Sequence, residues 1–436
     1  MNSDQQPPRP SLLNSPGGVR AIPLVKTSAS RQDVTSLASS TPAERVRPVN
    51  AVRFDPEHRK PRIDDKAYIS YLLSYARMLK ASDLHLRRDD SPWVRIDGKM
   101  QPLPNIGHGP TEDAIDAFCR DALSTDKYDR MRGTRGAGEG RVDGNDTGPI
   151  RVQAWRSNNG VNLSMRLLSE SVPKLNELGL PDIVKDFPNY RNGLVLFTGE
   201  TGSGKSTALA AVIDEILDTY EGYHIISFED PIEYLHSTRN REGQVRRSRC
   251  EQVQIGRDME SYSEGLRSAL RSDPDVIMLG EMRDAETIKG AIAAAETGHL
   301  VLSTAHDQRA TKTIERLISA FPPGESERIR HQIANVLRAV VSLRLLPRAS
   351  GKGRVAVAEV LFMSDTIREL IVSPDNKIMQ IPTALKSLSI SHKTQTLEMA
   401  LAKAVKANLI TTATAKGETD KVKELEDELK ALGIRI

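Results

Sequence analysis

The stretch Gly199-Glu-Thr-Gly-Ser-Gly-Lys-Ser-Thr207 decides the fold of this chain, because it matches the phosphate-binding P-loop pattern G-x-x-x-x-G-K-[ST] at every position. The apolar run 194–197 before it indicates a buried strand, and residues 206–217 after it have helical periodicity. Strand, glycine loop and helix thus follow in the order that a P-loop requires. The glycines let successive backbone N–H groups point at one phosphate, and the helix N-terminus adds a positive dipole end. The sequence therefore predicts nucleotide binding.

Two side chains of this loop have separate expected roles. Lys205 is expected to reach the β- and γ-phosphates of ATP, and Ser206 is expected to give its hydroxyl oxygen to Mg²⁺. ATP and Mg²⁺ are therefore the predicted cofactors. The predicted nucleotide-binding residues are Gly199, Glu200, Thr201, Gly202, Ser203, Gly204, Lys205, Ser206 and Thr207.

Length and charge bound the remaining possibilities. The chain has 436 residues, enough for two or three domains at roughly 100–200 residues each. The net charge of only +3 argues against binding of a polyanion by the chain as a whole. Residues 1–62 carry ten Lys/Arg against five Asp/Glu, with many Pro and Ser and no apolar periodicity. We predict a disordered, basic tail over 1–64, which either binds a partner or only solvates the chain.

Cysteine usage and apolar runs bear on the compartment. Cys119 and Cys250, the two cysteines, lie far apart and fit neither a disulfide framework nor a metal-binding C-x-x-C pair. No N-terminal segment resembles a signal peptide, and no run approaches the ~18 apolar residues of a membrane span. A cytoplasmic protein without zinc is predicted.

The spacing of apolar residues predicts two domains. Residues 65–170 combine helical patterns with short alternating strands, including a hairpin with strands at 150–155 and 161–168, which indicates a smaller α+β domain. Residues 171–190 are predicted to form a linker with one short helix. From 191 to 436, helices alternate with apolar strands, which favours an α/β domain with a mostly parallel sheet. Strands of this domain are predicted at 194–197, 224–228, 275–279, 300–303 and 355–361.

Hydrolysis of a nucleotide needs carboxylates near the phosphates, and two acidic clusters each follow a predicted strand. The first contains Glu229, Asp230 and Glu233, and the second contains Glu281 and Asp284. In a parallel sheet both strand ends lie at the edge that carries the P-loop. The two aspartates fit helix N-caps and functional acids equally well. Glutamate is a poor N-cap, so the functional interpretation leads for Glu233 and Glu281.

Two histidines flank the strand predicted at 300–303. His306 follows the strand at the edge of the P-loop, and a hydrogen bond from it to a phosphate or to the acidic cluster is a reasonable hypothesis. His299 precedes the strand. Zinc is not expected here, because no Cys or His partner lies at ligand spacing.

Four blocks in this order resemble the type II/type IV secretion ATPase superfamily, most closely the PilT-like retraction ATPases of type IV pili. They are the P-loop, the "Asp box" Glu229-Asp-Pro-Ile-Glu233, the segment Leu266-Arg-Ser-Ala-Leu-Arg-Ser-Asp-Pro-Asp275 with the atypical Walker B at Gly280-Glu-Met-Arg-Asp284, and the "His box" from Ala295 to His306. In the first domain, Ala81-Ser-Asp-Leu-His-Leu86 and Ile150-Arg-Val-Gln-Ala154 also resemble the family. The resemblance runs from about residue 66 to about residue 410.

The resemblance implies an architecture and a mode of action. It implies a RecA-like ATPase domain preceded by a PAS-like α+β domain. It also implies ring hexamers whose subunits close around ATP and drive an inner-membrane pilus or secretion platform, with which a cytoplasmic ring associates peripherally. Glu229 of the Asp box is also among the catalytic residues that the resemblance implies. The roles implied for single residues are catalytic glutamate for Glu233, Mg²⁺- and water-organising acid for Glu281, His-box residues for His299 and His306, and phosphate-reaching arginines for Arg151 and Arg166.

Some features leave the direction of movement and the partner open. The stretch 237–257 is long and basic, with five arginines between Arg239 and Arg249, and a solvated loop is the leading interpretation over a partner or nucleic-acid contact. The segment 366–373 matches the helix motif associated with retraction only in part. A pilus retraction motor is therefore weighed against an assembly, secretion or conjugation motor. A RecA-like nucleic-acid motor and a non-hydrolysing ATP-binding adaptor are the alternatives.

Overall fold

A computed structural model describes residue 62 and residues 64–133, 136–144, 147–169, 171–375, 377–389 and 393–434. The predicted tail over 1–64 therefore lies almost wholly outside the described residues. Among the described helices, none is both long and apolar enough to cross a membrane.

Helices and strands alternate along most of the described chain. The strands are β1 (Asp83–Arg87), β2 (Trp93–Ile96), β3 (Lys99–Pro102), β4 (Ala137–Gly144), β5 (Gly148–Ser157), β6 (Gly160–Leu167), β7 (Gly193–Thr198), β8 (His224–Glu229), β9 (Arg249–Gln254), β10 (Val276–Leu279), β11 (Leu300–Ala305), β12 (Leu337–Pro347) and β13 (Arg354–Phe362). The α-helices are α1 (Lys66–Met78), α2 (Glu112–Ala122), α3 (Thr125–Arg132), α4 (Lys205–Thr219), α5 (Tyr262–Ala269), α6 (Ala285–Glu296), α7 (Ala310–Ser319), α8 (Ser326–Val336), α9 (Asp365–Val372), α10 (Ile381–Ser387), α11 (Leu397–Lys406), α12 (Thr412–Gly417) and α13 (Val422–Ala431). Short 3₁₀ helices lie at Leu175–Glu177, Asp182–Asn189, Pro323–Glu325 and Lys377–Gln380.

The first six strands form one antiparallel sheet in the order β3-β2-β1-β6-β5-β4. Its inner face packs against α1 and α2 around a common apolar core. Period-two alternation explains the arrangement of β5, where Ile150, Val152 and Ala154 are buried and the residues between them lie on the other face. The outer face of this sheet is consequently free to carry charged side chains.

The remaining strands form a second sheet in the order β13-β12-β7-β11-β10-β8-β9. Every neighbouring pair from β12 to β9 is parallel, and β13 alone pairs antiparallel with β12. Strands β7, β10 and β11 are buried along their whole length, as expected for a sheet with helices on both faces. Helix α4 packs on one face, and α6 to α8 pack on the other. The predicted α/β fold with a mostly parallel sheet is confirmed.

The two edges of this sheet are both protected against further pairing. At one edge β13 forms an isolated bridge between Val360 and Gln395. At the other edge β9 exposes the charged side chains of Arg249 and Glu251. Helices α11 and α13 pack with the outer part of β13 in a separate apolar core, so the C-terminal helices are docked on the ATPase sheet.

Sequence patterns missed four strands. Strands β3 and β4 are short of apolar residues, and β4 contains three glycines. Strand β9 lies inside the basic stretch 237–257. Strand β12 follows α8 without a turn residue, so its continuous apolar sequence resembles the continuation of a buried helix. The predicted linker 171–190 contains two 3₁₀ helices where one short helix was expected.

Candidate active site

The P-loop joins β7 to α4, and its shape depends on glycine. Gly199 has φ of +138°, and a Cβ there would lie 2.4 Å from the carbonyl oxygen of Leu343 on β12. Gly202 and Gly204 also have positive φ, at +83° and +97°. A side chain at these positions would strain the backbone, so the glycines are what allow the loop to curl at the end of β7. The loop thereby places the N-terminus of α4 at the carboxyl edge of the sheet.

Lys205 is the buried cation of this loop. Its Nζ donates to the carbonyl oxygens of Gly199 at 2.7 Å and Glu200 at 2.9 Å. Burial lowers the pKa of Lys205, and the carboxylates of Glu233, Glu281 and Glu200 oppose that shift. Both predicted catalytic glutamates therefore lie within electrostatic reach of the P-loop lysine. The ammonium group remains the natural partner of a phosphate.

Two hydroxyl groups of the loop are placed differently. Ser203 is buried, and its Oγ has no hydrogen-bond partner in the described part of the chain. A buried hydroxyl without a partner is costly, and a bound phosphate oxygen would satisfy it. Ser206 is exposed in the first turn of α4, where a hydroxyl can meet a metal ion beside the phosphates. Both positions suit an occupied phosphate site.

Glu281 follows β10 and lies two strands from the P-loop at the same edge. Its Oε1 forms an ion pair with Arg283 Nε at 2.6 Å, and its Oε2 contacts His306 Nε2 at 3.1 Å. The predicted contact between His306 and the acidic cluster is therefore present. Asp284 has a different task, because its carboxylate caps α6 by accepting from the backbone N–H of Thr287 at 2.8 Å.

His299 lies at the amino-terminal end of β11, opposite the end of the sheet that carries the P-loop. It precedes β11, whereas His306 follows it, and a strand carries its two ends to opposite edges. The Nδ1 of His299 pairs with the carbonyl oxygen of Ala294 at 2.9 Å, at the end of α6. Within one chain the structure thus brings His306, but not His299, to the phosphate-binding edge.

Glu229, the first residue of the Asp box, is buried at the end of β8. Its Oε1 accepts from Ser227 Oγ at 2.8 Å and from Gln252 Nε2 at 3.0 Å. Burial raises the pKa of Glu229, and these two hydrogen bonds oppose the increase. The carboxylate therefore ties β8 to β9. The structure thus gives Glu229 a contact between two strands, and its catalytic role stays a prediction.

The loop that carries Glu233 is fastened to the P-loop helix. The Tyr234 hydroxyl lies 2.8 Å from Thr207 Oγ1, and the Tyr234 carbonyl oxygen accepts from Gln252 Nε2 at 2.8 Å. The loop begins at the Asp230–Pro231 peptide bond, which is cis. Glu233 is partly exposed and lies between these anchors. Its carboxylate is available for chemistry at the edge of the sheet.

A buried ionic cluster under this loop was not predicted from the sequence. Arg246 has a side chain only 4% exposed, and it pairs with Asp214 at 2.9 Å and Asp218 at 2.7 Å, both on α4. His236 Nδ1 lies 3.1 Å from the other oxygen of Asp214. The interpretation of 237–257 as a solvated loop is therefore wrong for Arg246, which fastens the stretch to the P-loop helix. An acidic pair spaced i, i+4 on α4 was the available signal.

Two other arginines of the stretch are exposed and form ion pairs. Arg247 pairs with Glu221 at 2.7 Å, and Arg249 pairs with Glu251. Their charge is thereby balanced within the chain.

We expect Arg246→Ala to lower the free energy of unfolding by about 3 kcal/mol, because it leaves two carboxylates without their buried partner. Arg247→Ala is the matched control, and it should cost less than about 1 kcal/mol, since that ion pair is exposed. Chemical denaturation of the two variants and the wild type measures both effects. Equal losses from the two substitutions would contradict the internal role of Arg246.

Arg151 and Arg166 lie opposite each other on β5 and β6. Both are on the outer face of the antiparallel sheet, where Arg166 Nε pairs with Asp83 at 3.0 Å and Arg151 pairs with Glu139. Burial raises the pKa of Asp230, Glu139 adds to the increase, and Arg151 opposes it. Arg151 is thus close to the Asp box of its own chain. No described hydrogen bond joins either arginine to the P-loop.

Comparisons with known proteins agree with this geometry. The family model of the type II/IV secretion system proteins matches residues 67–414. The type IV pilus retraction ATPase PilT of Pseudomonas aeruginosa is 37% identical over 350 residues, which are 80% of this chain and 97% of that relative. The type IV pilus ATPase PilU of the same organism is 35% identical over 297 residues, 66% of this chain and 73% of that relative.

A solved structure has the same fold over most of both chains. The crystal structure of the pilus retraction motor PilT with bound ADP superimposes with a TM-score of 0.73 at 36% identity, and the match covers 82% of this chain and 99% of that one. The matched region includes the P-loop, the Asp box, Glu281 and His306, which meet at one edge of the parallel sheet. This chain belongs to the family of type II/IV secretion system proteins and is one of its ATPases.

Proposed function

We propose that the chain is an ATP-hydrolysing motor that works as a hexameric ring and powers retraction of a type IV pilus. The observation that carries the proposal is the convergence of Lys205, Glu233 and Glu281 at one strand edge, with the N-terminal sheet adjacent to the Asp box. The similarity to PilT supports the choice of pilus and of direction. We assign the N-terminal domain to 65–170, the linker to 171–190 and the ATPase domain to 191–436.

The chain's own residues divide the chemistry between binding and hydrolysis. Lys205 holds the phosphates by charge. Glu233, partly exposed and anchored to α4 through its neighbour Tyr234, orients the attacking water and accepts its proton. Glu281 organises the metal and water side of the site, and His306 and Arg283 hold its carboxylate in place.

Mg²⁺ fits the oxygen donors of this site. Ser206 and Glu281 would hold the ion, directly or through water, since Mg²⁺ prefers oxygen ligands and keeps several waters. When bound, the ion neutralises charge on the phosphate oxygens. The buried hydroxyl of Ser203, which has no hydrogen-bond partner among the described residues, is the observation that favours an occupied phosphate site beside these donors.

The mechanical work on a partner protein would come from closure of the N-terminal sheet over the bound nucleotide. Arg151 and Arg166 would neutralise charge that spreads over the transferred phosphoryl group. Repeated around a ring, closure and opening would move a membrane-embedded pilus or secretion platform, to which a cytoplasmic ring docks peripherally. The C-terminal helices, packed on β13, would move with the ATPase sheet.

Deletion of the gene in the source cell, with complementation, tests direction and cargo. We expect surface pili to accumulate without the protein and to return to normal with the wild type, but not with Glu281→Gln. Loss of all pili would identify an assembly motor. An unchanged number of pili with lost protein or DNA export would identify a secretion or conjugation motor.

The purified protein tests the ring and the enzyme. Light scattering should give six chains of 48.1 kDa with Mg²⁺ and a nucleotide analogue. The wild type should hydrolyse ATP without DNA. Turnover that requires DNA at moderate salt would favour the nucleic-acid motor, and binding without any turnover would favour the adaptor.

A further inference from the structure

Strand β4 has glycines on one face and charged side chains on the other. A Cβ at Gly140 would lie 2.2 Å from the carbonyl oxygen of Ala122, and Gly138 is similarly crowded. Only glycine fits where β4 packs against the helices of its own domain. Because side chains alternate along a strand, Glu139 and Arg141 lie on the outer face of the sheet.

Arg141 is buried where this outer face meets the Asp box. Its side chain is 4% exposed, although it lies on the face away from the N-terminal core. The Nη1 group donates to the carbonyl oxygen of Ile232, the residue before Glu233. Asp143 Oδ1 accepts a hydrogen bond from Nε at 3.0 Å, and it lies 2.9 Å from Nη2, which has no hydrogen-bond partner in the described part of the chain. One fixed arm of Arg141 therefore reaches from the N-terminal sheet to the loop of the catalytic glutamate.

Charges of the same sheet face this loop as well. Burial raises the pKa of Asp230, and Glu139 adds to the increase while Arg151 opposes it. A hydrogen bond to Asp258 raises the pKa of Arg257, and Asp143 adds to that increase. The contact of Arg141 is thus accompanied by electrostatic interactions of Glu139 and Arg151 with Asp230, and of Asp143 with Arg257 outside the loop.

The opposite side of the loop is fastened to the ATPase domain. Tyr234 is joined to Thr207 on α4 and to Gln252 on β9, and His236 is joined to Asp214. Residues 230–236 are therefore held between two bodies, with Arg141 on one side and α4 on the other. A shift of the N-terminal sheet away from the loop would break the contact with Arg141 and leave the contacts with α4 and β9 in place.

We propose that Arg141 is a positioning residue, which couples the placement of the N-terminal sheet to ATP hydrolysis by holding the Ile232 carbonyl and thereby the adjacent Glu233. The proposal rests on the proposed catalytic role of Glu233. Movement of the sheet away from the loop would break this bond and leave Glu233 less well oriented, while the P-loop would still bind nucleotide. Displacement of a catalytic group by about 1 Å can cost about 100-fold in rate.

Steady-state hydrolysis by the full chain with Arg141→Ala tests the coupling. We expect kcat to fall at least tenfold, with KM for ATP changed less than threefold. Hydrogen exchange of residues 230–236 should rise in the variant with a non-hydrolysable ATP analogue bound. Arg141→Lys keeps the charge but has one donor group for two partners, and it should recover only part of the rate.

Arg156→Ala is the matched control, because Arg156 also donates to a backbone carbonyl, that of Arg132, but within its own sheet and helices. It should leave kcat and loop exchange unchanged. If Arg141→Ala does not fold, Asp143→Ala removes the group that orients the guanidinium and should give the same pattern. Equal kcat and equal loop exchange in the Arg141 and Arg156 variants would overturn the proposal. So would a loss of nucleotide binding in Arg141→Ala equal to its loss of turnover. A wild type without ATPase activity would overturn the proposed function instead.

Discussion

Lys205→Ala will weaken the binding of ATP and ADP by at least 100-fold. The substitution removes the buried ammonium group that the P-loop directs toward the phosphates, and hydrogen bonds to charged groups contribute about 1.5–3 kcal/mol each. Two such contacts exceed the roughly 2.7 kcal/mol that a 100-fold change in affinity represents. Equilibrium titration with a fluorescent nucleotide measures the effect. Hydrolysis should be lost together with binding.

Lys185→Ala is the control for this substitution, because Lys185 is exposed and pairs only with Asp182 in the described structure. Its affinity should equal that of the wild type. The ammonium of Lys205 also bonds two carbonyl oxygens of its own loop, so thermal unfolding of both variants must accompany the titration. A folded Lys205→Ala protein that binds ATP within threefold of the wild type would falsify the assignment of the P-loop.

Glu233→Gln should lower kcat by roughly 100- to 10,000-fold, the range over which a general acid or base contributes. Glu281→Gln should also lower kcat strongly, because it removes the carboxylate that organises the metal and water side of the site. Glutamine has the size of glutamate but neither its charge nor its basicity. Neither side chain forms the P-loop cradle, so the dissociation constant for ATP should change only a fewfold. Single-turnover hydrolysis, combined with the fluorescent titration, separates the two quantities.

Glu286→Gln serves as the matched control. Glu286 lies in the first turn of α6, five residues after Glu281, but it is exposed and pairs with Arg267 at 2.6 Å. Its turnover should equal that of the wild type. Rates like the wild type in both Glu233→Gln and Glu281→Gln would remove the proposed hydrolytic roles, while the P-loop would stand.

Local sequence patterns were sufficient to predict which residues lie at the edge of the sheet that carries the P-loop. The P-loop is a continuous motif, and the strands before Glu281 and His306 are short apolar runs that must be buried. A parallel sheet then brings their carboxyl ends together. Contact between His306 and the acidic cluster therefore follows from the order of strands and polar residues along the chain. The same rule places His299, which precedes its strand, at the opposite ends of the parallel strands.

The burial and the partners of Glu229 and Arg246 depend on contacts between distant segments, which local sequence patterns could not predict. Glu229 shares one face of β8 with Ser227, and its partner Gln252 belongs to β9, a strand hidden among arginines. Arg246 is buried only because α4 offers Asp214 and Asp218 to it. Neither outcome is visible within one segment of sequence. Both depend on which element lies next to which.

Strand β4 was missed for a related reason. Its glycines lowered its apparent strand propensity, yet they are needed because α2 approaches the strand so closely at Gly140. Arg141 consequently looked like one more surface charge. The resemblance to a known family pointed to Arg151 and Arg166 and gave no reason to select Arg141.

The protected edges of the parallel sheet have a consequence for assembly. An exposed strand edge invites another copy to add its own strand, which leads to aggregation or to a rigid continuous sheet. Here β13 is bridged at Gln395, and β9 presents Arg249 and Glu251. Backbone pairing between copies is thereby disfavoured at both edges. In the proposed ring, copies joined through side chains alone would be able to slide and tilt against one another without breaking a ladder of backbone hydrogen bonds.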